Sequence, residues 1–145
     1  MNTLHKLIKT SHTPTLLIRL TVGLIFVSEG MQKFIFPDTL GMERFSGIGF
    51  ANPLFWASFA ASFEIICGLL LLIGLLTRLA SIPLLIIMVT ALVTTKWTIL
   101  IHKGFFPFAH EYRTDFAMTM LLIYLLIQGG GKKSMDIKLY GEAAK

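Results

Sequence analysis

The amino-acid sequence predicts an all-α protein that spans a lipid bilayer as an antiparallel four-helix bundle with short loops. Of its 145 residues, 54% are hydrophobic and only 14% are charged, and the mean hydropathy is +0.73. Soluble domains carry about 25% charged residues, so a monomeric water-soluble globule is excluded. Four crossings of about 20 residues each would use most of the chain, which excludes a large domain outside the membrane.

Four apolar stretches are predicted to cross the membrane within a single domain that covers residues 1–145. The predicted spans are residues 16–36, 53–76, 80–101 and 112–129. A cleaved signal peptide is the rival interpretation of the first stretch, but Arg19, Glu29 and Lys33 interrupt it, which argues against cleavage. The fourth stretch is the weakest, because its uninterrupted apolar part, residues 116–127, is too short to cross alone.

The segments between the spans are predicted to be short connections. Glycine, proline and charged residues in residues 38–52 indicate a loop with one short interfacial turn. Thr77 and Arg78 indicate a tight turn, after which Pro83 falls in the first turn of the third helix, where proline is tolerated. Residues 102–112 (HKGFFPFAHEY) indicate an aromatic connecting loop.

The distribution of lysine and arginine predicts the orientation in the membrane. One side holds eight of these residues: Lys6, Lys9, Arg19, Arg78, Lys132, Lys133, Lys138 and Lys145. The other side holds five: Lys33, Arg44, Lys96, Lys103 and Arg113. Since cytoplasmic loops are enriched in these residues, both termini are predicted to be cytoplasmic. The basic residues form no patch interleaved with aromatic residues, so nucleic acid is not an expected partner.

Ionisable residues inside the predicted spans are the candidate functional residues, since each costs about 2.5–3.5 kcal/mol at the bilayer centre. Glu29 lies about 10 Å inside the outer end of the first helix, and Lys33 follows it by one turn. An acid that precedes a base at this spacing favours an ion pair. One interpretation is therefore a self-neutralised pair on one helix, and the other is a binding role for both residues.

Glu64 lies about 16 Å below Pro53, close to the bilayer centre, where its side chain is too short to reach water. It shares a helical face with the small residues Ala57, Ala61 and Gly68, a pattern typical of close helix contacts. Glu64 is therefore predicted to point into the bundle. Two roles stay open, namely a neutral carboxyl hydrogen-bonded to a neighbouring helix, or a group that binds a ligand or handles protons.

The charges within the spans gather in the predicted outer half of the bundle. There Glu64 is expected to be an unpaired acid beneath a network of three acids and three bases: Glu29, Glu111, Asp115, Lys33, Lys96 and Arg113. Arg19 and Arg78, near the other interface, are interpreted as topology anchors whose stems lie along lipid. Phe105 and Phe106 form either an aromatic belt at the interface or a lid over an amphiphilic ligand.

The positions of the histidines and of the cysteine argue against metal, haem and dithiol chemistry within this chain. His102 and His110 flank the aromatic segment at a spacing that is not a metal-ligand pattern, so no metal site is predicted. His5 and His12 lie in the N-terminal tail, which argues against a bis-histidine haem inside the bundle. The one cysteine, Cys67, excludes an intramolecular disulfide and a dithiol relay.

Several short motifs together resemble the DoxX family of small four-helix membrane proteins. Those in the first half of the chain are R-L-x-x-G-x-x-F-x-x-x-G-x-x-K at residues 19–33 and E-x-x-x-G-x-L-L-x-x-G-x-x-T-R at residues 64–78. Those in the second half are G-F-F…E-Y at residues 104–112 and G-x-G-x-x-S-x-D at residues 129–136. The resemblance implies four transmembrane helices, including the marginal fourth.

Members of the family that the sequence resembles have several activities. Some are subunits of a thiosulfate:quinone oxidoreductase, others are associated with quinone, catechol or oxidative-stress defence, and distant eukaryotic relatives are cargo receptors or assembly chaperones. The chain has no flavin, haem or dithiol motif of its own. Redox chemistry would therefore need a lipid-soluble quinone or an added subunit.

The leading hypothesis is an accessory protein of quinone-linked redox chemistry or detoxification, located in a bacterial inner membrane, that holds a quinone-like amphiphile in the outer half of the bundle. Glu64 and Glu29 would exchange protons or accept hydrogen bonds, while Lys33, Lys96 and Arg113 would polarise the carbonyl oxygens. A bound quinone is the one cofactor considered. The bilayer is the expected partner, and a redox subunit and further copies of the chain are the candidate protein partners. The alternative is a non-enzymatic assembly factor, chaperone or cargo-type protein that binds partner helices.

Overall fold

The computed structural model describes residues 14–141, and every regular element in that range is helical. The helices are α1 (Thr15–Ile35), α2 (Glu43–Ile48), α3 (Pro53–Ile73), α4 (Thr77–Ala91), α5 (Trp97–Lys103), α6 (Phe105–Gln128) and α7 (Met135–Tyr140). Two π-helical segments, Pro37–Met42 and Leu92–Lys96, precede α2 and join α4 to α5. The predictions for His5, Lys6, Lys9, His12 and Lys145 concern residues outside the described range.

Three helices in the described part of the chain are long and apolar enough to cross a membrane, namely α1, α3 and the continuous helix Thr77–Lys103. The helix α6 has 24 residues but carries Glu111, Arg113 and Asp115 in its first half, and it is not among these three. The all-helical class is therefore confirmed, together with three helices that are apolar enough to span a membrane. The fourth crossing, and with it the four-helix bundle, stays a prediction.

Small residues allow α1 and α3 to pack closely, in the most extensive contact between described helices. A Cβ atom placed on Gly23 would lie 2.8 Å from the carbonyl oxygen of Gly68, and one on Gly30 would lie 2.7 Å from that of Ala61. Ala57, Ala61 and Gly68 are all buried on α3. The prediction of a small-residue contact face on this helix is thus confirmed.

The apolar core lies toward the end of the molecule where α1 begins and where α3 and α6 end, called here the Arg19 end. It consists of residues from all four long helices: Val22, Phe26, Cys67, Leu71, Ala80, Leu84, Met118, Leu122 and Leu125. In the described chain, the long helix that begins at Thr77 has no buried residue after Leu84, and α6 has none before Met118. In the opposite half, called the Lys33 half, α1 and α3 still pack closely on each other, but this pair packs less tightly against the pair formed by α4 and α6.

Two segments predicted to be loops are helical instead. Residues 38–52 contain most of a π-helical segment and all of α2, which ends at Gly49 with a φ of +94°. In residues 102–112, Gly104 alone separates α5 from α6, with a φ of +87° that favours glycine. Pro107 lies in the first turn of α6, where its missing N–H group is tolerated. Glycine and proline signals are therefore compatible with helices here, because they fall at helix ends or in first turns.

The helix α4 begins at Thr77 rather than at residue 80 because the C-terminal segment caps its first turn. The carboxylate of Asp136 accepts hydrogen bonds from the backbone N–H of Leu76 at 2.6 Å and from that of Thr77 at 3.0 Å. The earlier start places Pro83 inside the helix instead of in its first turn. A residue near the end of the chain thus fixes the turn between the second and third long helices.

Replacing Asp136 by alanine is expected to lower the free energy of unfolding by about 1–2 kcal/mol, since two N–H groups at a helix N-terminus lose a charged acceptor. Reversible unfolding in mixed micelles measures this difference. The control is Asp38→Ala, because the exposed side chain of Asp38 has no hydrogen bond or ion pair within residues 14–141. Equal stability of the two variants would show that the cap contributes nothing.

Candidate functional site

A buried ion pair joins α1 to α3 in the Lys33 half. The ammonium group of Lys33 donates a hydrogen bond to Oε2 of Glu64 at 2.6 Å, and the two side chains are only 9% and 4% exposed. Charge-assisted hydrogen bonds of this length are among the stronger ones in proteins. Glu64 does point into the molecule as predicted, but it is paired and is not the unpaired acid of the expected network.

The close approach of the two helices makes this pairing possible. Gly30 lies one helical turn before Lys33, and a Cβ atom placed on it would be 2.7 Å from the Ala61 carbonyl oxygen and 3.1 Å from Cβ of Glu64. Because Gly30 has no side chain, α1 lies directly on the face of α3 that carries Glu64. The lysine one turn further along α1 then reaches the carboxylate.

Lys33 pairs with Glu64 across the helix interface instead of with Glu29 on its own helix. Glu29 is exposed and has no ion pair in the described chain. A pair at i,i+4 on a helix surface contributes only about 0.2–0.5 kcal/mol, whereas charges shielded from water attract each other more strongly. The interpretation of Glu29 and Lys33 as a self-neutralised pair is therefore wrong. Glu29 is instead a second acid one turn from the buried lysine.

A second group of charges lies where the α4–α5 helix meets α6. Nζ of Lys96 is 3.6 Å from Oε2 of Glu111 and 3.6 Å from Oδ2 of Asp115, and it donates a hydrogen bond to the backbone oxygen of Glu111 at 3.2 Å. The lysine side chain is 12% exposed. Among the described residues no ion pair joins this group to Lys33 and Glu64, so the charges form two clusters.

The other candidate residues lie outside both clusters. Arg113 contacts Nδ1 of His110 at 3.1 Å, on an exposed part of α6. Phe105 and Phe106 begin α6 with side chains 64% and 84% exposed, and their ring centroids are 5.7 Å apart. His102 is exposed at the end of α5. Arg113 and the two phenylalanines thus flank the Lys33 half at the end where α6 begins.

Arg19 is buried at the opposite end and does not lie along lipid as the sequence suggested. The residue is 1% exposed, and its Nη2 donates a hydrogen bond to the backbone oxygen of Lys133 at 3.0 Å. The guanidinium lies so close to Gly74 that a single Cβ atom there would overlap it. Its Nε and Nη1 atoms have no hydrogen-bond partner in the described chain. Arg19 therefore joins α1 to the α3–α4 turn and to the segment after α6.

The C-terminal motif G-x-G-x-x-S-x-D forms the frame around Arg19. Gly129 and Gly131 have φ angles of +77° and +72°, which favour glycine at both positions. Ser134 donates to the backbone oxygen of Gly131 at 2.7 Å and accepts from the backbone N–H of Ile137 at 3.4 Å, capping α7. The sequence analysis used this motif only as part of the family resemblance, and neither the turn that it forms nor its contact with Arg19 was inferred.

Comparison with known proteins relates the chain to a family of membrane proteins. A model of the DoxX family matches residues 15–97. An uncharacterized membrane protein of Mycobacterium tuberculosis is 49% identical over 128 residues, which cover 84% of this chain and 78% of the relative. CatD of Bacillus subtilis, which bears the provisional name of an oxidoreductase, is 30% identical over 132 residues, 88% of each chain. No solved structure matches significantly.

The family match covers more than half of the chain. It includes both helices of the α1–α3 pair and therefore both members of the buried ion pair. The chain belongs to the DoxX family of membrane proteins.

Proposed function

We propose that this protein binds a quinone-like amphiphile beside the Lys33–Glu64 pair, as an inner-membrane accessory of quinone-linked redox chemistry or detoxification. The observation that carries the proposal is the burial of both charges within helices that are apolar enough to cross a membrane. A buried ion pair adds little stability compared with apolar residues of similar size. Ionisable residues in membrane spans are, for that reason, better explained by binding or proton transfer.

The two side chains suit the two redox states of a quinone. The ammonium group of Lys33 donates a hydrogen bond to a quinone carbonyl oxygen, and the carboxylate of Glu64 accepts one from a hydroquinone hydroxyl group. Reduction of the quinone takes up two electrons and two protons. A separate redox subunit supplies the two electrons, because lysine and glutamate side chains exchange protons but are not themselves oxidised or reduced. Glu29, one turn from Lys33, exchanges protons with the aqueous side.

In this proposal the second cluster completes the site. Lys96, Glu111 and Asp115 lie on the α4–α6 side of the Lys33 half, and the exposed residues Arg113, Phe105 and Phe106 would close over a bound ligand at the end where α6 begins. In this proposal α6 is the fourth membrane crossing of a four-helix bundle, and the Arg19 end faces the cytoplasm with both termini. The Bacillus subtilis relative carries the name of an oxidoreductase, which supports a redox-linked role.

Titration of the purified protein with a short-chain ubiquinone or menaquinone analogue tests the proposal. We expect saturable binding that weakens by about ten-fold or more in Glu64→Gln, since a hydrogen bond to a charged group contributes about 1.5–3 kcal/mol. The control is Glu43→Gln, which changes an exposed acid on α2. Absence of saturable binding by the folded protein, or equal affinities of the two variants, would overturn the proposal.

A non-enzymatic binding protein for another membrane protein is the second candidate. The observation that favours it is a row of exposed aromatic side chains along α3, each ring in contact with the next: Phe55, Trp56, Phe59 and Phe63. Large aromatic side chains are frequent anchors in protein interfaces. Native mass spectrometry that finds a stoichiometric protein partner, lost in Trp56→Ala, and no bound lipophile would favour this candidate over the first.

A further inference from the structure

We infer that the Arg19 end binds an anionic phospholipid through a cluster of three exposed cations. These residues, named here the basic cluster, are Arg78, Lys132 and Lys133. None of them forms an ion pair within residues 14–141. The cluster is independent of the Lys33–Glu64 pair, since it lies at the other end of the helices.

The fold brings together basic residues that are far apart in the sequence. Arg78, in the first turn of α4, donates through Nη2 to the backbone oxygen of Ile127 at 2.9 Å. Its Nε atom lies beside Gly129, where a Cβ atom would be 3.3 Å away. Lys132 and Lys133 follow this glycine directly in the chain. The arginine of α4 therefore lies next to the turn that carries the two lysines.

A buried frame holds this turn in place. The buried guanidinium of Arg19 donates a hydrogen bond to the backbone oxygen of Lys133. The hydroxyl group of Ser134 donates one to the backbone oxygen of Gly131, within the same turn. Asp136, the acid of this segment, is occupied by two backbone N–H groups of the α3–α4 turn. The two lysines are thus carried by an ordered backbone, which lowers the entropy cost of binding an anion. The carboxylate of Asp136 is turned toward the α3–α4 turn by its own hydrogen bonds.

Exposed apolar side chains border the basic cluster. They lie on α4, α6, α7 and the α3–α4 turn: Leu76, Leu79, Ile127 and Leu139. Positive charge beside apolar surface matches a lipid that has a phosphate headgroup and acyl chains, and basic sites of this kind at the membrane surface bind anionic headgroups. Arginine and lysine both suit the phosphate, because each donates charge-assisted hydrogen bonds to its oxygens. An anionic glycerophospholipid therefore fits both parts of the surface.

Binding of defined lipids to the full-length protein, delipidated in a neutral detergent, tests the inference. The probes are phosphatidylglycerol and phosphatidylcholine with the same acyl chains, followed by native mass spectrometry. We expect a preference for phosphatidylglycerol that falls about thirty-fold in the Arg78→Gln/Lys132→Gln variant, since each cation contributes about a five-fold effect. The matched control is Arg44→Gln/Lys103→Gln, which removes the same charges from exposed sites outside the cluster.

The inference would be overturned by no preference for the anionic lipid, by an equal loss in the control variant, or by a preference unchanged in the cluster variant. If Arg78→Gln disturbs folding, Lys132→Gln/Lys133→Gln serves instead, because these side chains have no partner in the described chain. Equal binding of inorganic phosphate would assign the cluster to a free anion. Binding of an acidic soluble protein that the lipid does not displace would assign it to a protein partner. Either assignment would contradict the lipid site.

Discussion

Removing one member of the Lys33–Glu64 pair is expected to lower the free energy of unfolding by about 3–5 kcal/mol, because the other charge is left buried without a partner. Glu64→Leu leaves an ammonium group, and Lys33→Met leaves a carboxylate, in a site where the side chains are 9% and 4% exposed. Reversible unfolding in mixed micelles measures both variants. Glu43→Gln, at an exposed position of α2, is the control and is expected to change stability by less than about 0.5 kcal/mol.

Removing both charges together is expected to restore most of this stability. In Lys33→Met/Glu64→Leu two apolar side chains of similar size replace the pair, and such replacements of buried ion pairs are often neutral or stabilising. The difference between the single and double variants separates the cost of an unpaired charge from any net stabilisation by the pair. A double variant as unstable as either single variant would show that the pair itself is needed for folding.

Replacing Gly30 by valine is expected to force α1 away from α3 and to cost about 3 kcal/mol, toward the upper part of the range for overpacking. Even its Cβ atom would lie 2.7 Å from the backbone oxygen of Ala61, an atom that moves only with the whole helix. The same displacement moves Lys33 away from Glu64. Both thermal stability and quinone binding should therefore fall in Gly30→Val.

Gly47→Val is the matched control for this substitution. A Cβ atom placed on Gly47, in α2, meets no atom within 4 Å. This variant should differ from the wild type by less than about 1 kcal/mol, since valine and glycine have similar helix propensities. If Gly30→Val is as stable as Gly47→Val, the close α1–α3 contact does not position the ion pair.

The helical class and the inward face of Glu64 were predictable because both follow from patterns within a single helix. The composition indicates membrane helices, and the spacing of Ala57, Ala61 and Gly68 around Glu64 indicates a helix contact. The partner of Lys33 was not predictable in the same way. The sequence shows that Glu29 lies one turn from Lys33 on the same helix. Whether Lys33 also reaches Glu64 depends on how closely α1 and α3 approach each other, which the sequence does not show.

The burial of Arg19 was missed for a related reason. Its position near the end of a span is typical of an interfacial anchor, and its contacts, Gly74 and Lys133, are distant in the sequence. Likewise, the start of α4 depends on Asp136, which no local pattern around Thr77 reveals. Local patterns therefore predicted the helices. The partner of Lys33, the burial of Arg19 and the start of α4 instead depend on contacts between segments that are distant in the sequence.

Quinone binding by the Lys33→Met/Glu64→Leu variant tests the proposed function most directly. This variant removes the polar groups of the site while keeping similar side-chain volume, so a loss of binding is separated from a loss of folding. We predict that it folds with nearly wild-type stability and shows no saturable binding of the quinone analogue. A folded double variant that binds the analogue with wild-type affinity would contradict the assignment of Lys33 and Glu64 as the ligand site.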